Sequence, residues 1–158
     1  MVFKNPSNSF SLNSKKIICK LFIGSINKRG LRVKSLNNFF FTLLLLNKVY
    51  EIYDPISFVI NIVDKVRPKV NFVSKKVAGI VYKLPRFISL DKSRSISIRW
   101  IVLSAISRNS YEKFPQKLAK ELFDISRGSH TQAIKKRLEY HTLARSNRPF
   151  LRYLKKKK

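Results

Sequence analysis

The sequence predicts a mainly α fold: a six-helix bundle with one protruding two-stranded β-ribbon between helices three and four. Three observations carry this. Apolar residues recur at helical spacing before Val66 and after Pro85. Between those points, two runs of Val, Ile, Phe and Tyr flank Ala78-Gly79, as in a hairpin. Helix punctuation repeats along the chain, with Asp54-Pro55 and Phe114-Pro115 as starts and Gly30 and Gly128 as stops.

Residues 1–14, which include Asn5-Pro6-Ser7-Asn8, read as a flexible arm that orders on meeting a partner. Residues 15–153 read as a single helical domain with the ribbon at about 69–88, and 154–158 as a basic tail. Ser14 is the expected cap of a first helix to about Asn27, with Ile18, Phe22 and Ile26 on one face. The second helix follows from Leu36, Phe39, Phe40, Leu43, Leu46 and Tyr50, and its Phe39-to-Leu46 run suggests burial on most sides. That run is too short for a bilayer span, which takes roughly twenty apolar residues. Asp54-Pro55 opens the third helix, striped by Ile56, Val59, Ile60 and Val63.

Ser89 or Asp91 starts the fourth helix, in which Ile98, Ile101, Val102, Ala105 and Ile106 share a face and Trp100 reads as core. The fifth helix turns Leu118, Leu122 and Ile125 inward. Thr131 is the expected cap of the sixth, whose stripe is Ile134, Leu138 and a satisfied, half-buried His141.

The charge is the loudest feature. Lys+Arg 34 against Asp+Glu 8 leaves a net +26 on 158 residues, a self-repulsion that calls for a polyanionic neighbour. The lone Cys19 excludes an internal disulfide, and two histidines without a carboxylate cluster give little material for a metal or an acid–base pair. Neither an enzyme nor a cofactor is expected. Met1 to Ser14 lacks the arginines and amphipathic period of a transit peptide.

The ribbon stretch carries Arg67, Lys69, Lys75, Lys76 and Lys83 without an acidic residue among them. An isolated hairpin is marginal in water, and this one would also repel itself, so it suits an anionic partner. The plainer alternative is a solvated edge hairpin whose lysines block edge-to-edge pairing. Lys135, Lys136 and Arg137, then Arg148, make the sixth helix and its exit cationic. Tyr82 reads equally as a platform for an unpaired base or as a cross-strand packing residue.

Four motifs resemble the small-subunit ribosomal protein seven family. They are the ribbon itself (Val66-Arg67-Pro68, Val73 to Gly79, Tyr82 to Pro85), Ile98-Arg99-Trp100-Ile101-Val102, Lys117 to Asp124, and Ala133-Ile134-Lys135-Lys136-Arg137 followed by His141, Ala144 and Asn147-Arg148. The resemblance runs from about Lys15 to Tyr153. It implies six helices with a ribbon between the third and fourth, and adds Asn147 to the RNA-facing residues. It also implies binding to the 3′ major domain of small-subunit rRNA, support of head assembly, exit-site tRNA and mRNA nearby, and head and platform ribosomal proteins as neighbours. The chain departs from the pattern at Ala78, where the family has a second glycine, at Leu31-Arg32, at Leu138-Glu139 and at Pro149.

The expected function is therefore structural: an rRNA-binding constituent of a small subunit, without catalysis and without a membrane. The rival from another class is a DNA-binding regulator of helix-turn-helix type built on helices five and six. A peripheral membrane protein is a third reading, weakened because the Phe/Leu run is needed inside the bundle. A composition rich in Ile, Lys, Asn and Phe matches AT-rich codons and points by association to the mitochondrial matrix. A plastid or low-GC bacterium would share that signature.

Overall fold

The computed structural model describes residues 12–153. They form α1 (Leu12–Ile26), α2 (Arg32–Lys48), α3 (Pro55–Val66), β1 (Val70–Val77), β2 (Ile80–Phe87), α4 (Leu90–Ile106), α5 (Phe114–Arg127) and α6 (Gln132–Ser146), followed by a 3-10 segment, Arg148–Tyr153. The mainly helical order with the ribbon after the third helix is as expected. Most of the predicted arm, residues 1–11, and the tail, 154–158, lie outside the described residues. Ser14 is not the cap of α1: Leu12 and Asn13 are already helical, because no proline or glycine there stops the helix from continuing back past it.

α4 is the central helix. It packs on α1, α3, α5 and α6, and buries Ile98, Trp100, Ile101, Val102 and Ala105. Its serines can sit inside because their hydroxyls find acceptors, as when Ser93 Oγ donates to the Pro68 carbonyl at 2.5 Å. Trp100 is 7% exposed and meets Tyr140 edge-on, so it is a core residue. Tyr140 in turn touches Phe72, with ring centroids 5.5 Å apart, which carries the core outward to the root of the ribbon.

The cap of α3 forms as expected. Asp54 accepts from the Ser57 amide at 3.2 Å and hydroxyl at 2.6 Å, and Lys15 of α1 joins at 3.1 Å. Burial pushes the Asp54 carboxyl up, but the Ser57 bonds and Lys15 outweigh it and hold the group below its ordinary value. α5 ends at Gly128, whose φ of +83° is the left-handed stop. Cys19 is half-buried beside the core, and burial pushes its thiol up.

Two expectations about helix faces change. α2 is not buried on most sides: Phe39 and Leu46 face inward with Ser35 and Thr42, while Phe40 is 60% and Phe41 56% exposed. In a bundle of this size each helix keeps an outer surface, and Ser35 and Thr42 tolerate the inner one by bonding the carbonyls of Leu31 and Asn38 four residues back. In α6, Leu138 is 52% exposed. The helix is rotated to bring Ala133 and the larger ring of Tyr140 against the core, and Ile134 and His141 keep only partial burial. Thr131 holds the N-cap position with extended backbone, yet its hydroxyl makes no capping bond.

Candidate nucleic-acid interface

The ribbon is an antiparallel pair in which Val77 faces Ile80 across a two-residue turn. Ala78 and Gly79 have φ of +49° and +84°, the doubly positive geometry that matches the strand twist. Glycine takes that conformation freely; Ala78 does so under strain. Because residues paired across strands share a face, the register sorts the cations. Lys76 (opposite Val81) and Lys83 (opposite Ser74) lie on one face, and Lys75 with Tyr82 and Arg86 on the other. The ribbon is thus cationic on both sides.

At its root, Lys69 approaches α6. The His141 imidazole is held below its ordinary value, first by burial and then by the positive charges of Arg137 and Lys69. Its Nε2 is buried without a partner among the described residues, which corrects the expectation of a satisfied histidine. The two cations beside it are donors, and neither offers an acceptor. Lys69, Lys76, Lys83, Lys135 and Arg148 are exposed and make no ion pair or hydrogen bond among the described residues.

Other predicted site residues are engaged with the protein. Arg67 pairs with Asp64 at 3.3 Å, and the same carboxylate takes Arg94 at 3.5 Å. Arg137 donates to the Lys65 carbonyl at 2.6 Å. Lys65 in turn donates to the carbonyls of Ile125 and Ser126, both at 3.0 Å, placing positive charge at the negative end of α5. Arg137 and Lys65 thereby fasten α3, α5 and α6 together. Asn147 is half-buried at the junction of α6 and the 3-10 segment, where its carbonyl accepts from the Phe150 amide at 3.2 Å. Tyr82 packs on Phe150, with ring centroids 5.0 Å apart, so the ribbon and the C-terminal segment meet. Lys136 is half-buried and lines a hollow that Arg108 and Glu121 also border. Lys135 lies in the first turn of α6 and Arg148 in the 3-10 segment past its far end, so the two do not form a point cluster.

The structure adds exposed Arg86 on the ribbon and Arg99 on α4. The first lies just past Pro85, where the ribbon motif of the sequence ends, although it still pairs with Asn71 in the sheet. Most of the acids are paired within the protein, and Glu51, Asp91 and Glu139 are exposed. Of the 8 in the chain, Asp54, Asp64, Glu112, Glu121 and Asp124 are in ion pairs. Buried Glu121 has both oxygens engaged, by Ser104 at 2.6 Å and Arg108 at 2.8 Å, and Arg108 also reaches Asp124. That cluster ties α4 to α5. Among the described residues no group of acids, histidines and cysteine could hold a metal ion, and no helix is long and apolar enough to cross a membrane.

Comparison with known proteins gives one answer. The family model described as ribosomal protein S7p/S5e matches residues 3–148. The small ribosomal subunit protein uS7 of Blochmanniella floridana is 42% identical over 90 residues, 57% of this chain and 56% of that protein. The uS7 of Rhodopseudomonas palustris (strain BisA53) is 32% identical over 100 residues, 63% of each chain. The uS7 of Phytoplasma mali (strain AT) is 34% identical over 109 residues, 68% of this chain and 69% of that protein. In the first two matches the chain spans less than two thirds of the relative's length. With its helix order, its ribbon after α3 and a model match across nearly its whole length, the chain belongs to the ribosomal protein S7p/S5e family.

Proposed function

We propose that this protein is a structural constituent of a small ribosomal subunit, bound to the 3′ major domain of its rRNA. There it supports assembly of the head and sets its ribbon beside the exit-site tRNA and the mRNA. The observation that carries this reading is the pairing of acids inside the bundle while Lys69, Lys76, Lys83, Lys135 and Arg148 stand unpaired outside it. A folded RNA supplies the missing negative charge. Lys75, Lys136 and Arg86 extend the contact, and Tyr82 holds the ribbon to Phe150. Arg67, Arg137 and Asn147 shape the surface through their bonds to Asp64, Lys65 and the Phe150 amide.

Membership of a ribosomal family weighs against the helix-turn-helix regulator. So does α6, whose inward face carries Tyr140 and Arg137 and whose outer face exposes Leu138 and Leu143. Neighbouring head and platform proteins are the expected protein partners. The composition supports a mitochondrial ribosome in the matrix as its place.

The test is competition of fragments of the 3′ major domain against duplex DNA of equal charge, together with sedimentation of the source lysate. The rRNA fragment should win and the protein should travel with the small subunit at low salt. Equal competition by DNA, or a protein that sediments free, would remove the proposal.

A further inference from the structure

A second cationic feature lies away from the ribbon and shares no residue with it. A cavity of about 370 Å³ opens where the end of α1 and the start of α2 meet the end of α4 and the start of α5. Its volume is within the roughly 300–1,000 Å³ of small-molecule sites. The floor is apolar, made by Leu31, Val102, Ile106 and Phe114. Lys28, Lys34 and Lys117 stand around it. Arg29 and Gly30 reverse the chain at φ of +55° and +75°, which brings Lys28 at the exit of α1 and Lys34 at the entry of α2 to one opening. Lys117 is fixed by donation to the Arg108 carbonyl at 3.0 Å. The one carboxylate in the wall, Glu112, is held by Lys120, and the Asn38 amide adds a polar edge.

An apolar slot bordered by lysine side chains matches a repeating unit that is itself a flat apolar face joined to an anion. We infer that this cavity takes a single unstacked nucleotide of the bound RNA, its base against Leu31, Ile106 and Phe114 and its phosphate toward Lys28 and Lys34. The inference rests on the RNA-binding reading above and adds a second, base-gripping contact to it. The cavity would contact one base directly, whereas the phosphate contacts of the ribbon position the RNA without reading its sequence.

The test uses the full chain and a short single-stranded RNA carrying 2-aminopurine at one position, beside the same RNA abasic there. Leu31→Ser with Ile106→Ser, both partly exposed positions, should weaken the base-containing RNA by about fivefold to tenfold and leave the abasic RNA unchanged. Lys28→Gln with Lys34→Gln should weaken both RNAs and reduce the salt slope by about 0.7, the value for one phosphate on a single strand. Photo-crosslinking of the unaltered chain to RNA with 5-iodouridine at the same position needs no variant to fold, and should label residues 26–38 or 102–117. Equal effects of the serine pair on both RNAs, or crosslinks confined to the ribbon, would overturn the cavity assignment while RNA binding stands. Failure of the unaltered chain to bind either short RNA would likewise overturn the cavity assignment, while the rRNA reading is decided separately by the competition of 3′ major domain fragments against duplex DNA.

Discussion

Tyr82 in the second strand of the ribbon packs its ring on Phe150 in the 3-10 segment that follows α6, with centroids 5.0 Å apart. The finger and the C-terminal end of the domain therefore hold each other, and the cations on both keep a fixed relation.

Phe150→Ala should free the ribbon without unfolding the bundle. Such an aromatic pair is worth about 0.5–1.5 kcal/mol beyond its buried area. Amide exchange in β2 is expected to rise by up to roughly tenfold while the α4 amides stay protected, since 1.4 kcal/mol is a factor of ten. Unchanged exchange in β2 would show that the ribbon is held elsewhere.

Ala78→Gly should stabilise the turn. A non-glycine residue in left-handed backbone costs about 1–2 kcal/mol, of which the extra freedom of glycine in the unfolded chain returns about 0.4–1 kcal/mol. Nothing lies within 4 Å of a Cβ at the neighbouring Gly79, so the turn is open and conformation decides the outcome. A net gain near 1 kcal/mol appears as a rise in Tm of about 2–4 °C for a domain of this size.

His141 lies beside Arg137 and Lys69, so its titration tests whether phosphate reaches those two cations. Its folded-state pKa lies below the ordinary value through burial and the charges of Arg137 and Lys69, so the unfolded chain binds the proton more readily. Its contribution to stability is full above the ordinary histidine pKa and is lost as pH falls toward the folded value. RNA phosphate beside Lys69 and Arg137 would reverse the local potential and raise that pKa. Histidine NMR titration should therefore show an upward shift on RNA binding, and RNA affinity should grow as pH drops through this range. An unmoved titration would place the phosphate elsewhere.

Lys76→Gln with Lys83→Gln and Arg137→Gln should behave differently although all three residues are cations of the same region. The lysine pair is expected to leave the melting temperature alone and to reduce the salt slope of rRNA binding by about 0.7–0.9 per contacted phosphate. Arg137→Gln removes the bond to the Lys65 carbonyl and should destabilise the fold by about 1–2 kcal/mol. Calorimetry and binding at about 50 and 200 mM salt separate the two effects.

Local signals carried the helix order, the ribbon, the Asp54 cap and the Gly128 stop, because each depends on residues within a turn of one another. Periodicity was less informative about which face wins. In α6 the stripe through Leu138 lost to the one through Tyr140, since the ring reaches both Trp100 and Phe72. Arg67 has its partner Asp64 three residues away, within reach of local reading, whereas the commitment of Arg137 was hidden. Arg137 meets a carbonyl 72 residues away, and nothing near it in the chain announces that bond. The cavity beside Lys28, Lys34 and Lys117 is likewise the product of four helix ends meeting, although its glycine stop at Gly30 was plain in the sequence.

The internal use of Asp54, Asp64, Glu112, Glu121 and Asp124 has a consequence for the life of the polypeptide before assembly. A copy released in surplus has no acidic segment among its described residues with which to mask its own lysines, so it adheres to whatever anionic polymer it first encounters. If the proposed RNA is its partner, supply of the chain would have to track that RNA, since the excess cations have no other neutralising group among the described residues.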